Sequence, residues 1–230
     1  MRILHVSDLH YNWPWFKWVQ RAAPKYSAVC FSGDFADMFN LETPGEQQAG
    51  KVHEWLAGFS TPIFVCSGNH DWAPAKAVEL ANTNFLRSKN PAVRSDGTDE
   101  LFLGYRFVCL GWGEMSKDLS GDVPVVLLSH APPGETRLGK SGPGMGDLGE
   151  LGVRAATESL PPRSIVLSGH VHEPEVWCER VGNAWVFNPG YPSARTEIPH
   201  HISLDLDKGI AAFTGDHFWE GHELDVQKLW

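Results

Sequence analysis

Short apolar runs that end in turns bearing Asp, Asn or His constrain this chain more than any other feature of its sequence. Helix-like segments separate the early runs, so the runs are predicted to be strands of an α/β fold. A parallel, helix-flanked first half and a more antiparallel remainder indicate two sheets packed together. The predicted strands cover residues 3–6, 28–31, 63–66, 107–110, 125–128, 165–167 and 185–187.

The segments between these runs predict a hairpin, a long loop and three helices. Residues 101–110, with Gly104 in the middle, predict a hairpin, and the last third of the chain is strand-like with little helix. The segment 131–152 is rich in Gly and Pro, and its length predicts a functional loop beside the site. Helices are predicted at 15–23, 46–59 and 74–81, the last with a proline in its first turn.

Length, composition and charge narrow the class of protein. A chain of 230 residues fits one domain, 1–230, and 42% hydrophobic with 20% charged residues predicts a packed core. The net charge of -9 repels polyanions, so non-specific nucleic-acid binding is disfavoured. Four scattered cysteines predict reduced thiols. Without a secretory signal or a membrane-spanning apolar run, we expect a cytoplasmic protein that does not bind membranes.

The turns after five of the predicted strands carry residues with metal-binding chemistry. In open α/β sheets ligands bind outside the carboxyl ends of the strands, so we expect these turns to meet. In extended backbone, residues i and i+2 point the same way, which predicts that Asp8 pairs with His10 and His170 with His172. Glycines before them let the backbone turn close to an ion. The turns are Asp8-Leu9-His10, Gly33-Asp34, Gly68-Asn69-His70-Asp71, Ser129-His130 and Gly169-His170-Val171-His172.

The ordered set DxH, GD, GNHD, H and GHxH, over residues 8–172, resembles the calcineurin-like metallophosphoesterase superfamily. The resemblance implies an α/β fold, a four-layer sandwich of two mixed β-sheets packed together and flanked by helices. It places a dinuclear metal site at the carboxyl ends of the strands. The ligands that it implies are Asp8, His10 and His172 for one ion, Asn69, His130 and His170 for the other, and Asp34 as the bridge between them.

The same resemblance implies the chemistry. Carboxylate and imidazole ligands without thiolate suit two divalent or trivalent ions, Mn, Fe or Zn first and also Co or Ni. Ionised Asp8 and Asp34 leave two divalent ions with excess positive charge, which attracts phosphate. We therefore expect a metal-bridging hydroxide to hydrolyse a small or nucleotide-like phosphate ester, phosphodiesters ahead of phosphomonoesters. By the resemblance, His70 protonates the leaving group as general acid and Asp71 orients its ring.

Further residues are weaker candidates for substrate contact. Arg137 and Lys140 follow His130, and Arg195 follows the turn Asn188-Pro189-Gly190, so each is either a phosphate contact or a solvated surface cation. The turn itself is either structural or a substrate contact. Four tryptophans near the motifs either stack a planar substrate or pack in the core: Trp13, Trp15, Trp72 and Trp112.

The turn after Asp34 differs from that of two branches of the superfamily, and two other functions are possible for a chain with these motifs. Phe35-Ala36-Asp37-Met38 lacks the arginine motif of phosphoprotein phosphatases, and Asp37 stands where purple acid phosphatases have a tyrosine ligand. One rival function is a metal-dependent nuclease, which needs a basic groove that the net charge disfavours. The other is a protein-binding scaffold with this fold, which is distinguished by loss of ligands, and here every expected ligand is present.

Overall fold

The two ends of the chain together form a seven-stranded mixed sheet. The computed structural model describes residues 1–71, 84–114, 118–142, 146–192, 196–215 and 226–230. The strand order of the sheet is β13-β12-β11-β1-β2-β3-β4, in which β1 to β4 are parallel and the other three strands antiparallel. The strands are β1 (Arg2–Val6), β2 (Ala28–Ser32), β3 (Ile63–Cys66), β4 (Val93–Arg94), β11 (His201–Asp205), β12 (Ile210–Thr214) and β13 (Val226–Lys228).

The middle of the chain forms a six-stranded mixed sheet. Its order is β5-β6-β7-β8-β10-β9, with antiparallel strands at both edges and four parallel strands between them. Because β5 and β6 pair through a tight turn, the predicted hairpin is confirmed. The strands are β5 (Asp99–Phe102), β6 (Tyr105–Leu110), β7 (Val125–Ser129), β8 (Ile165–Leu167), β9 (Cys178–Val181) and β10 (Ala184–Phe187).

Two helices cover the outer face of the seven-stranded sheet. α1 (Trp13–Ala22) has a proline in its first turn and buries Trp15, Phe16 and Val19, whose spacing places them on one face. α2 (Gly45–Ala57) buries Val52, Trp55 and Leu56 against the same sheet. Both helices confirm predictions to within two residues, whereas the helix predicted at 74–81 lies outside the described residues. Among the described helices, none is long and apolar enough to cross a bilayer.

A third helix, α3 (Leu151–Glu158), was not predicted, and it begins inside the segment expected to be a loop. It has only eight residues and Gly152 in its first turn, so its local helical signal is weak. Val153 and Ala156 are buried against the outer face of the six-stranded sheet, and this tertiary contact stabilises the helix.

Strand alternation divides the core into three apolar layers. Along β3, Phe64 faces the opposite sheet while Ile63 faces the helices, and β6 and β7 alternate in the same way. The central layer joins the sheets, and its tightest aromatic contact is a stack of Phe64 on Phe107 with ring centroids 4.1 Å apart. Helices outside both sheets complete four layers, so the predicted α/β four-layer sandwich is confirmed.

The Phe64 stack predicts a large stability effect. Phe64→Ala removes a fully buried ring from between the two sheets, so we expect it to lower the free energy of unfolding by about 3–5 kcal/mol in denaturant titration. Leu101→Ala is the control, because Leu101 is 70% exposed and its truncation should change the same quantity by less than about 0.5 kcal/mol. A small effect at Phe64 would mean that the sheets do not depend on this contact.

Candidate metal centre

The turns that follow five parallel strands meet at one edge of the sandwich. β1, β2 and β3 of the seven-stranded sheet supply three turns, and β7 and β8 of the six-stranded sheet supply two. All seven predicted ligand side chains come together there in two neighbouring groups: Asp8, His10, Asp34, Asn69, His130, His170 and His172.

The first group contains Asp8, His10 and His172. Asp8 Oδ1 lies 3.8 Å from His10 Nε2 and 3.6 Å from His172 Nε2. The two Nε2 atoms are 3.0 Å apart, so both rings direct a nitrogen at the same point. These three side chains form a set whose donor atoms could hold a metal ion.

The second group is centred on the amide oxygen of Asn69. This Oδ1 atom lies 3.0 Å from His130 Nε2 and 2.9 Å from His170 Nδ1. The other ring nitrogen of His130, Nδ1, donates to the carbonyl oxygen of Ser32 at 2.7 Å. That hydrogen bond fixes the ring orientation and leaves Nε2 directed at the group, which is the usual arrangement for a metal-binding histidine.

Asp34 lies between the two groups. Its Oδ2 atom is 3.2 Å from His130 Nε2 of the second group and 3.8 Å from His10 Nε2 of the first. Its Oδ1 atom accepts a hydrogen bond of 2.9 Å from the His70 amide, which holds the carboxylate in this orientation. The residue is 1% exposed, so one buried carboxylate faces both sets of donors.

Left-handed backbone directs these side chains, which corrects one prediction. Asp8 and His10 have φ values of 52° and 40°, and His170 has a φ of 67°. Their side chains therefore do not converge through the extended i, i+2 geometry that we expected. Asp34, at 56°, is left-handed as well. Non-glycine residues in this region are strained by about 1–3 kcal/mol each, and such residues cluster at functional sites.

Two glycines allow the turns to approach closely. A Cβ atom at Gly33 would overlap the His130 ring, and a Cβ atom at Gly68 would overlap the carboxylate of Asp34. In the structure the glycines thus make room for the candidate ligands themselves.

Asp71 does not have the contact that we predicted for it. Its two oxygens accept hydrogen bonds of 2.9 Å from backbone amides, those of Asp34, Phe35, Ala36 and Gly68. The ring of His70 is held instead by the amide of Met38, which donates to Nδ1 at 3.2 Å. Asp71 therefore joins the turns after β2 and β3, and the expected orientation of the His70 ring by Asp71 is replaced by a backbone contact.

Three further residues support the candidate ligands, and the sequence analysis did not assign them this role. The Asn188 side-chain amide donates to the carbonyl oxygens of Gly169 and Val171, which clamps the turn that carries two histidines. Tyr191 stacks on His172 with ring centroids 4.8 Å apart. Trp112 packs against the rings of His130 and His170 at 5.6 and 5.2 Å. Of these three residues, only Asn188 lies in a motif that the sequence analysis had singled out, the turn Asn188-Pro189-Gly190.

Two of the three predicted substrate cations, Arg137 and Lys140, are not brought to the site. Arg137 is exposed and pairs with Glu175 at 3.5 Å, and Lys140 is exposed as well. Neither side chain forms a hydrogen bond or ion pair with a candidate ligand. Arg195 and Trp72 lie outside the described residues. Trp15 is buried in the core, so the packing alternative holds for it.

Burial and charge set the protonation states of the metal-free site. Burial acts to raise the pKa of Asp34 and of Asp8, but the neighbouring histidines outweigh it and lower both. Burial lowers the pKa of His170 to about 4. At His130 burial acts in the same direction, but the Asp34 carboxylate outweighs it and raises the pKa of this ring to about 9. The site thus combines ionised carboxylates with a neutral imidazole at His170, which are the protonation states that metal ligands need.

Metal ions fit this donor set. The Nε2 atoms of His10 and His172 face each other at 3.0 Å. The amide oxygen of Asn69 faces the rings of His130 and His170. These atoms concentrate lone pairs that only a proton or a cation can neutralise. The donors are nitrogen and oxygen without sulfur, which suits first-row transition metals. The fold and the donor set together place a candidate metal site at the carboxyl ends of the strands.

Comparison with known proteins identifies the family. The family model for calcineurin-like phosphoesterases matches residues 1–174. The chain therefore belongs to the calcineurin-like phosphoesterase family of metal-dependent phosphoester hydrolases. Among curated proteins, none matches the chain by sequence.

Solved structures share the fold at low identity. An archaeal phosphodiesterase has a TM-score of 0.53 and 20% identity, with 93% of this chain and 99% of that chain covered. Yfce, a phosphoesterase from E. coli, has a TM-score of 0.50 and 18% identity, with 94% and 93% covered. Purple acid phosphatase PPD1 from yellow lupin has a TM-score of 0.55 and 12% identity, with 93% of this chain but 50% of that chain covered.

The raised pKa of His130 predicts that metal binding is coupled to proton release. His130 is protonated near pH 7 in the metal-free site, and a ligand ring must lose that proton, so we expect affinity for Mn²⁺ or Zn²⁺ to rise with pH up to about 9. Calorimetric titration in buffers of different ionisation enthalpy measures the released proton. His130→Asn should reduce the release, and a binding enthalpy that is the same in every buffer would contradict the coupling.

Proposed function

We propose that this protein hydrolyses phosphate esters at a dinuclear metal centre. In the proposal, Asp8, His10 and His172 hold one ion, Asn69, His130 and His170 hold the other, and Asp34 bridges them. The observation that carries the proposal is the position of Asp34 Oδ2, which faces one histidine of each group at 3.2 and 3.8 Å. A buried carboxylate in that position can bind two cations at once.

The cofactor that fits the site is a pair of Mn, Fe or Zn ions, with Co or Ni as alternatives. When bound, the ions supply a water of lowered pKa as nucleophile and positive charge for the phosphoryl oxygens. The protein's own contribution is position, because left-handed turns, glycine contacts and the Asn188 clamp hold the donors before any substrate arrives. Such preorganisation favours the charge that develops during displacement at phosphorus.

His70 is positioned to protonate the leaving group. Its Nδ1 atom accepts the hydrogen bond from the Met38 amide, so the neutral ring carries its proton on Nε2. The Nε2 atom lies 4.0 Å from Asp34 Oδ2, at the edge of the two ligand groups. As general acid the ring must be the imidazolium, with a hydrogen on each nitrogen, so the contact with the Met38 amide opens and Nδ1–H turns to Asp37 Oδ1, which lies 3.8 Å away. The ring then gives its Nε2 proton to the oxygen of the departing alcohol and is left neutral, with its remaining proton on Nδ1.

The substrate that we propose is a small or nucleotide-like phosphate ester, with phosphodiesters ahead of phosphomonoesters. A net charge of -9 disfavours long polyanions. Phosphoesterases and a phosphodiesterase are among the proteins that share the fold, and this likeness supports the reaction class only.

Removing the bridge tests the central proposal. Asp34→Ala and His130→Ala should each lower kcat/KM for a 4-nitrophenyl phosphodiester by more than about a hundredfold, because loss of outer-shell partners alone costs roughly 10- to 100-fold. Metal analysis should find less than two ions per chain in both variants. His53→Ala is the matched control, since that ring lies outside both ligand groups and bonds the Phe85 carbonyl oxygen beside α2. Full activity in either site variant, or two retained ions in both, would refute the proposed centre.

The role of His70 predicts a dependence on the leaving group. His70→Asn should lower kcat for phenyl esters by about a hundredfold or more, because a poor leaving group needs the proton. Hydrolysis of 4-nitrophenyl esters should fall far less, since that leaving group departs as an anion. The measurement is kcat for both esters at equal metal content, and an equal loss for both would contradict the acid role.

A further inference from the structure

Three exposed apolar side chains lie on the segment that follows the turn with Asp34. Met38 is 43% exposed, Phe39 75% and Leu41 98%, and together they form what we call the apolar lip. They follow the turn that carries Asp34 by only a few residues. An exposed apolar patch commonly marks a place where an apolar ligand binds.

The apolar lip is held in a defined conformation. Gln48, on α2, is 1% exposed, and its side chain accepts a hydrogen bond from the Asp37 amide at 2.8 Å. The same side chain donates to the carbonyl oxygens of Asp37 and Thr43, at 3.0 and 2.9 Å. The segment is therefore fastened on both sides of the lip, and the apolar side chains project from an anchored loop.

The apolar lip contacts the proposed leaving-group acid directly. The Met38 amide donates to His70 Nδ1, and the Phe39 ring lies edge-on to the His70 ring with centroids 5.3 Å apart. A substrate group that receives a proton from His70 Nε2 leaves on this side of the site. The Phe39 ring is the part of the lip that packs against this histidine.

Charge on the same segment narrows what can bind there. No lysine or arginine occurs between Asp34 and Lys51, whereas Asp37, Glu42 and Glu46 are acidic. A second phosphate group or a nucleic-acid strand that lay along this segment would find negative charge and no cation of the segment itself. An uncharged apolar group would find contact area and would not be repelled by the acidic side chains.

We propose that the apolar lip is a subsite for the leaving group, and that the enzyme prefers phosphate esters of apolar, aromatic or long-chain alcohols. The inference rests on the proposed function, because it takes His70 as the acid that faces the leaving group. Apolar surface buried on the lip in the transition state raises kcat/KM for such esters and leaves their small counterparts unaffected.

The test compares two esters whose leaving groups differ in apolar area but are similar in basicity, methyl phenyl phosphate and methyl 2-naphthyl phosphate. For the metal-loaded protein we expect kcat/KM to be about fivefold higher for the naphthyl ester. Leu41→Ser and Phe39→Ser should each bring this ratio towards one while metal content stays constant. Leu101→Ser is the matched control, since it removes a leucine that is 70% exposed on β5 and should leave the ratio unchanged.

The outcomes separate this inference from the function on which it rests. A ratio near one in the wild-type protein, or a ratio that neither lip variant changes, overturns the subsite while hydrolysis itself stands. The same holds if Leu41→Ser converts a wild-type dimer to a monomer without changing the ratio, because the lip would then bind a second copy of the chain. Failure to hydrolyse either ester overturns the proposed function as well.

Discussion

The Asp34 carboxylate is the contact on which the rest of the candidate centre depends. It is buried, it is fixed by the His70 amide, and it faces histidines from both ligand groups. Four backbone amides donate hydrogen bonds to the Asp71 carboxylate, which joins the turns around Asp34. This second buried carboxylate thus holds Asp34 in place and is not itself a candidate metal ligand. Burial and the Asp34 charge raise the pKa of Asp71 to about 7, which places an easily protonated group under the site.

Aromatic side chains complete the surroundings of the histidines. Tyr191 covers His10 and His172, Trp112 covers His130 and His170, and Phe39 covers His70. Edge and face contacts of this kind restrict ring rotation and exclude water from one side of each imidazole. The five rings of the site are therefore oriented by packing as well as by hydrogen bonds, which suits donors that must be in place before an ion binds.

The sequence predicted the strands that are apolar runs and the turn residues that follow them, because both depend on local patterns, whereas β4, β9 and β11 to β13 had no predicted range. Apolar runs identify β1 to β3, and polar residues at their carboxyl ends identify Asp8, Asp34 and Asn69. The sequence could not predict α3, which forms through tertiary contact, or the partners of Asp71, which lie as far as 37 residues away along the chain. Nor could it predict left-handed backbone at Asp8 and His10, since this conformation depends on hydrogen bonds between distant turns such as that from the His10 amide to Asp34.

The two sheets contribute different candidate ligands. The seven-stranded sheet supplies Asp8, His10, Asp34 and Asn69, and the six-stranded sheet supplies His130, His170 and His172. Side chains from both sheets therefore surround each proposed ion, so that a bound ion would link distant segments of the chain as a covalent crosslink does. An ion bound at this edge would oppose separation of the sheets. Metal binding would then raise the free energy of unfolding as well as support activity.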